Sequence, residues 1–399
     1  MARQEIKARR NPNIQLCMWC LGRQYTPNVH QAEVVGRRVF KKAGLEPTEK
    51  CSLCDGVYEA RDRIVQEIIE KTRGFEFCSF QLGVSVPSDK VEAEDELRSK
   101  LETGSGVGLK RGLSVLLRDE LALKIGKRPS ARRPELIITI KLPEAKIKVE
   151  SKPMTVYVRY LKLTRGMPVK APYCSSCHGV GCEKCKDMGI DLTSRTVEAT
   201  LSKVLLNAFD GSKVKLSWSG VDEDDSIVVG SGRPMLAQIV SPKRRVSGFT
   251  RINMNASDDV QMTVVEAAEP ERSRIEDLIK HVRAKAVFEK DLTVNEVNVL
   301  VKTFKGKAVS VSIGGNKRKE RIVHELEINA MEGEAELFLR LDNAISVRHL
   351  ISPYSLGKTE MGRVEPNFAD VLPNNRVKWM LYDVVRFEEK HGWGKTLIM

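Results

Sequence analysis

WSGVDEDDSIVVGSGRPMLAQIVSPKRR, residues Trp218–Arg245, combines a turn, two apolar runs and both signs of charge. The acidic segment Asp222–Asp225 precedes the apolar run Ile227–Val229. A second apolar run follows the glycine-rich turn at residues 230–234, and each run has the length of a strand. The stretch ends in the basic residues Lys243, Arg244 and Arg245. It predicts two short strands joined by a turn, with acid before them and base after them.

The acidic segment has three interpretations. It repels phosphate, so it is not what draws nucleic acid to the chain. The first interpretation is a solvated loop and the second is a binding site for a cation. The third is a catalytic site in which one carboxylate acts as nucleophile, among positively charged residues that bind an RNA backbone.

Composition favours a polyanionic partner. The 399 residues carry 66 Lys and Arg against 53 Asp and Glu, a net charge of +13. This length predicts two to three domains. We find no apolar run near the roughly 20 residues of a membrane span and no signal-peptide core, so we expect a soluble cytoplasmic protein.

Eight of the nine cysteines form C-x-x-C pairs. Thiolates two residues apart can turn onto one tetrahedral metal, which predicts one or two structural zinc sites. We expect the ninth, Cys78, to be a core residue. The predicted ligands are Cys17, Cys20, Cys51 and Cys54 for one site and Cys174, Cys177, Cys182 and Cys185 for the other.

Three regions follow from these patterns. Residues 1–60 form an N-terminal zinc-binding unit, and residues 61–167 alternate helices and strands as a compact α/β module. Residues 168–399, with the second cysteine group at 174–185, form a mixed, mainly antiparallel α/β domain. The predicted fold class is therefore α/β (α+β).

Several elements are specific enough to test. We predict helices at VNEVNVLVKTF and around Ser273–Lys285, and a final strand in RVKWMLYDVVRFEE. Residues Thr155–Leu163 read as a strand of the middle module, and Ser88–Gly112 as a charged, glycine-rich stretch.

Four places resemble the archaeal tRNA pseudouridine synthases of the Pus-ten type. These are the opening CMWCLGRQY, the junction RYLKLTRGMPVKAPYCSSCHGVGCEKC, the central GSGRPMLAQIVSPKRR and the late GRVEPNFADVL. They span almost the whole chain in the order of that family. The resemblance implies a THUMP-like RNA-binding accessory domain at 61–167 and a pseudouridine synthase catalytic domain at 168–399. It also implies an isomerase that acts on uridine 54 and/or 55 in the tRNA T-loop without an organic cofactor.

The resemblance also implies an aspartate nucleophile. An ungapped count back from Gly230 reaches Glu223, whereas a shift of one residue reaches Asp222 or Asp224. We prefer Asp222, which comes soon after the turn at Gly220, and keep Asp224 as the alternative. The loosely matched AELFLRL offers Arg340 as the basic partner.

Two further roles concern RNA. In that family an active-site tyrosine stacks on the target base, and the matching position here is Val282. Phe288 or Phe304 is therefore the candidate for the ring that stacks on the base. The predicted RNA contacts are Arg233, Lys243, Arg244 and Arg245 near the active site and Lys127, Arg128, Arg132 and Arg133 in the accessory domain. The alternative function is a tRNA-binding protein of the same architecture that has lost catalysis.

Overall fold

A computed structural model gives the arrangement of most of the chain. It describes residues 15–104, 106–220, 223–246, 252–267, 278–314, 317–353 and 362–389. Their contacts divide into two compact units. The first holds residues up to Pro153 together with Ser241–Arg244, and the second holds Met154–Val240 and the residues from Arg245 onward.

In the described ranges, the first unit is a four-stranded sheet with five α-helices. The helices are α1 (Met18–Gly22), α2 (Ala32–Ala43), α3 (Arg61–Thr72), α4 (Ser88–Leu101) and α5 (Leu109–Ile125). The strands are β1 (Ser79–Ser85), β2 (Arg128–Pro129), β3 (Leu136–Lys141) and β4 (Lys146–Ser151), in the order β2-β1-β3-β4. β1 runs parallel to both its neighbours, and β3 and β4 are antiparallel.

One hydrophobic core runs through the described residues of this unit. It contains the first four cysteines, the inner faces of α3 and α5, and alternate residues of β1 and β3. Residues of the predicted zinc unit and of the predicted α/β module therefore bury each other's apolar surface, and the contacts between them leave no division at residue 60.

The second unit carries helices α6 (Val197–Phe209), α7 (Val294–Phe304), α8 (Val347–Ile351) and α9 (Phe368–Val371). Its eleven strands are β5 (Met154–Lys162), β6 (Lys213–Trp218), β7 (Ile227–Val240), β8 (Ile252–Asn255), β9 (Val260–Ala267), β10 (Leu278–Phe288), β11 (Lys307–Ser312), β12 (Arg318–Met331), β13 (Glu334–Asp342), β14 (Val364–Glu365) and β15 (Val377–Glu389). The path through the sheet is β14-β11-β12-β13-β10-β15-β7-β5-β9-β8, with β6 beside β7.

The middle of this sheet is where β7 meets β15. That pairing is parallel and short, joining Ile227 to Asp383 and Val228 to Val384, whereas the other described strand pairs of this sheet are antiparallel. Val228 packs into the core beneath β10–β15, and Met235 packs into the core shared by β5, β9 and α6. The acidic segment leads directly into β7, so the fold places it where the two halves of the sheet join.

The predicted fold class is confirmed, and two local predictions are wrong. Of the helix expected around Ser273–Lys285, the described residues 278–285 lie in β10, because their inward and outward side chains alternate as in a strand. Residues Ser88–Leu101, read as a charged stretch, form α4. The predicted helix at VNEVNVLVKTF is confirmed as α7, which begins at a capping box between Thr293 and Glu296.

The strand at 154–162 joins the second unit and not the middle module. It pairs with β7 on one side and β9 on the other. The contacts therefore divide the chain at Pro153, fourteen residues before the predicted boundary at 167. Among the helices in the described ranges, none combines the length and apolar composition that crossing a membrane requires.

Candidate active site and metal centres

Glu223 is the acidic residue that turns inward at the start of β7. Its side chain is only 12% exposed. Ser346 Oγ donates a hydrogen bond to Glu223 Oε1 over 2.7 Å, and Arg348 Nε lies 3.5 Å from Oε2. Arg348 also pairs with Asp225. The structure thus brings a carboxylate, a hydroxyl and a guanidinium together from segments more than 120 residues apart.

Helix α8 presents these partners. Ser346 is its N-cap, and its Oγ accepts a hydrogen bond from His349 N while donating to Glu223. One hydroxyl therefore fixes both the helix end and the carboxylate. Burial lowers the pKa of His349, and the Glu223 carboxylate opposes part of this shift. The imidazole beside Glu223 is accordingly neutral at pH 7.

Two cations hold the backbone of the acidic segment. Lys162, buried at the end of β5, donates to Glu223 O at 2.6 Å and Asp224 O at 3.1 Å. Arg165 Nη1 donates to Asp225 O and to Tyr382 O, each at 2.9 Å, and its Nη2 pairs with Asp383. These bonds tie the segment to β5 and β15, so the direction of the Glu223 side chain is set by the sheet.

The two predicted nucleophiles fare differently. Asp222 lies outside the described residues. Asp224 is exposed, and its Oδ1 accepts a hydrogen bond from Val169 N at 3.4 Å. The structure therefore brings Glu223, the residue reached by the ungapped count, to Arg348.

Arg340 lies in a different cluster. Its guanidinium pairs with Glu388 and, at 3.5 Å, with Glu325, and the Glu388 carboxylate raises its pKa. His281 Nε2 is 3.1 Å from the same Glu388. These contacts engage Arg340 on β13 with β12 and β15, and its role as catalytic partner stays a prediction.

Arg233 is buried, although the sequence predicts an RNA contact there. Its Nη1 donates to Ser219 O at 2.9 Å, and its guanidinium lies 5.2 Å from the centre of the Phe387 ring. In this position it anchors the chain just before the acidic segment. Both candidate stacking rings, Phe288 and Phe304, are also buried, within the core beneath β10–β15.

Gly230 sets how closely β7 approaches β15. Its φ is +62°, and a Cβ there would lie 2.1 Å from Val385 O. We expect Gly230→Ala to destabilise the second unit by about 2 kcal/mol or more, since it adds backbone strain to a clash. Thermal unfolding measures this. Gly333→Ala is the control, since Gly333 has φ +79° with open space around it; an equal loss in both variants would contradict the clash.

Arg245 is half-buried and belongs to the second unit, whereas Lys243 and Arg244, which were expected near the active site, belong to the first unit with the contacts predicted in the accessory domain. Segment 241–244 joins that unit through Lys243 O, which accepts from Glu76 N at 2.7 Å. Cys78, two residues after Glu76, accepts a hydrogen bond at its carbonyl oxygen from Arg128 N at 3.1 Å, at the start of β2. The exposed residues of this accessory basic patch are Lys127, Arg128, Arg132, Arg133, Lys243 and Arg244.

Both groups of four cysteines have the geometry of a metal site. Within each group the Sγ atoms lie within 4.8 Å of one another. Tetrahedral ligands at about 2.3 Å from a zinc ion are about 3.8 Å apart. The Cys17 and Cys54 sulfurs are 3.7 Å apart, and the Cys174 and Cys182 sulfurs 3.9 Å. Both groups could therefore hold a metal ion.

The remaining cysteine differs from expectation. Cys78 is exposed, because it lies just before β1 at the edge where Arg128 N reaches its carbonyl. The expectation of a core residue is wrong. Its side chain lies apart from both metal-binding groups, which makes it useful as a control.

Sequence reasoning missed Lys162, Arg165, Ser346 and Arg348. Lys162 left a signal, since it follows Val156, Val158 and Tyr160 at the period of two that marks the inner face of β5. A lysine at such a position needs a partner. The sequence around Arg348 contains no comparable signal, because its closeness to Glu223 arises only from the fold.

Comparison with known proteins identifies the family of this chain. The family model described as "Pus10, C-terminal" matches residues 155–388. A relative from Cenarchaeum symbiosum, named tRNA pseudouridine synthase Pus10, is 28% identical over 90% of this chain and 86% of its own length. Relatives of the same name from Methanothermobacter marburgensis and Methanosphaera stadtmanae are 27% and 24% identical, covering 90% and 97% of this chain and 92% and 99% of their own lengths. With its family match running from β5 through β15, this chain belongs to the Pus10 family.

Proposed function

We propose that this protein isomerises uridine to pseudouridine at position 54 and/or 55 of the tRNA T-loop. The observation that carries the proposal is the inward carboxylate of Glu223 between Ser346 and Arg348, in a chain whose relatives are named tRNA pseudouridine synthases. Glu223 takes the role that the sequence assigned to Asp222 or Asp224.

The reaction requires little beyond a placed carboxylate. The N1–C1′ bond of the nucleotide breaks, the C5–C1′ bond forms, and the C5 proton is replaced by one on N1, so no external reactant is consumed. The carboxylate attacks C1′ or removes a proton from C2′. Arg348 supplies the positive charge that the free carboxylate needs in a half-enclosed site. We propose that His349, whose pKa is lowered by burial, is the group that accepts or donates a proton.

We also propose that the target base leaves its stack to reach Glu223. Extrusion costs a few kcal/mol and is easiest in a loop. The accessory basic patch would hold the phosphate backbone elsewhere on the tRNA, since its cations are exposed. Arg233 would act indirectly, through the chain that it anchors at Ser219.

Zinc is the metal that we propose for both cysteine groups. Four thiolates complete a tetrahedron, which leaves no position for substrate and makes each site structural. In the first group Arg23 Nη2 donates a hydrogen bond to Cys20 Sγ at 3.8 Å. A cation at this position would offset the negative charge of four metal-bound thiolates. We expect two zinc ions per chain.

The assay is incubation with unmodified tRNA transcript, followed by carbodiimide treatment and primer extension. We expect stops in the T-loop that disappear when its two uridines are replaced by cytidine. Tight tRNA binding without such stops would instead support the alternative of a binding protein that has lost catalysis.

A further inference from the structure

Tyr173 is a fixed and unusually exposed aromatic residue beside the second cysteine group. The residue is 75% exposed. The backbone around it is pinned, because Tyr173 bridges to Ile190 and Cys174 N donates to Gly189 O at 2.9 Å. The ring packs against the backbone of Gly179, where a Cβ would come within 3.1 Å of it. A side chain that is held in place but remains exposed loses little conformational entropy when it binds a ligand, which favours a role in binding.

The charges nearby favour a base over a phosphate as the ligand. Lys184 and Lys186 are exposed on the same loop, but so are the acidic residues Glu183 and Asp187. This balance gives phosphate little net attraction. Val180, 87% exposed, adds apolar surface. An open ring with apolar surroundings and modest charge suits an unpaired nucleobase, which stacks on aromatic side chains regardless of sequence.

The polypeptide connects this ring to the candidate active site. Gly166 N donates to Asp224 O at 2.8 Å, and Val169 N lies 3.4 Å from Asp224 Oδ1. Tyr173 follows Val169 by four residues, a span of at most about 14 Å. A nucleotide close to the target uridine is within reach of the ring.

We propose that Tyr173 stacks on an unpaired base that flanks the target uridine. The loop at residues 174–185 then serves as a support for RNA recognition as well as a structural element. The assignment of that base to the T-loop rests on the proposed function, whereas stacking on RNA does not.

The test compares the affinity of full-length variants for an RNA hairpin of the T arm by fluorescence anisotropy. We expect Tyr173→Ala to weaken binding about 5- to 150-fold, the range for loss of one stacked base. Tyr173→Phe should bind like the native protein. Tyr173→Leu lacks the aromatic ring but keeps an apolar side chain that can pack on Gly179. It should lose the same affinity, and it keeps the test valid if Tyr173→Ala folds poorly. Trp379→Ala is the control, because Trp379 is 51% exposed in the same unit.

Two further readouts separate the possible outcomes. The salt dependence of binding should keep its slope in Tyr173→Ala, since no phosphate contact is lost. A hairpin carrying 4-thiouridine should cross-link to the peptide that contains Tyr173. Native affinity in Tyr173→Leu overturns the proposal even if pseudouridine is formed. Weakened binding and the cross-link support it even if no pseudouridine is formed, so the two proposals fail separately.

Discussion

Glu223→Gln should abolish pseudouridine formation while leaving tRNA affinity within a few-fold of native. The substitution keeps the size of the side chain and removes the charge on which attack at C1′ or C2′ depends. Loss of a catalytic carboxylate lowers turnover on the order of 10³-fold or more. Arg348 keeps its ion pair with Asp225, so the variant should fold normally. Single-turnover assays with unmodified transcript measure the rate.

The matched control is the neighbouring residue. Among the described residues, the exposed Asp224 carboxylate accepts only a long bond from Val169 N, so we expect nearly native turnover in Asp224→Asn. Asp222→Asn completes the series, because Asp222 is the nucleophile preferred from the sequence. Full activity in Glu223→Gln with loss in either aspartate variant would return the role to an aspartate.

Cys54→Ser should unfold the first unit. Zinc binding contributes apparent free energies of about 10–16 kcal/mol in zinc-finger peptides, which equals or exceeds the total stability of most domains. The four cysteines lie inside the only core that the described part of this unit shows, together with Tyr58, Ile64 and Phe40. Loss of one ligand should therefore expose residues from α1 to β4 to protease and lower the metal content to one zinc per chain.

Cys78→Ser provides the comparison for this experiment. It removes an exposed thiol from the same unit, so protease resistance and two zinc ions per chain should be retained. Native stability in Cys54→Ser, with the zinc content unchanged, would contradict a structural zinc site. Metal analysis and limited proteolysis of the two proteins side by side give the answer.

Local signals in the sequence predict local structure well here. The C-x-x-C spacing predicts both cysteine groups, because ligands two residues apart are brought together by a single turn. The apolar runs on either side of Gly230 predict strand, and both lie in β7, which continues through the expected turn. The positive φ of Gly230 and Gly232 kinks this strand without ending it.

Long-range pairing explains what the sequence does not predict. LIKHVRAKAVF contains a helix-compatible set of residues, yet its neighbours β13 and β15 make it a central strand. The same holds for the site. Glu223 follows from counting residues back from Gly230, whereas Arg348 meets it only because the fold brings α8 beside the acidic segment.

The short return of residues 241–244 to the first unit affects the order in which that unit can be completed during synthesis. Pro242 O accepts from Ser151 Oγ at 2.6 Å and Lys243 O from Glu76 N, so both acceptors are translated almost 90 residues after Pro153. A nascent chain that has reached β5 still lacks them. A fragment released at Pro153 would expose two donors that the intact protein satisfies, and supplying a peptide of residues 241–244 in trans is a direct way to restore them.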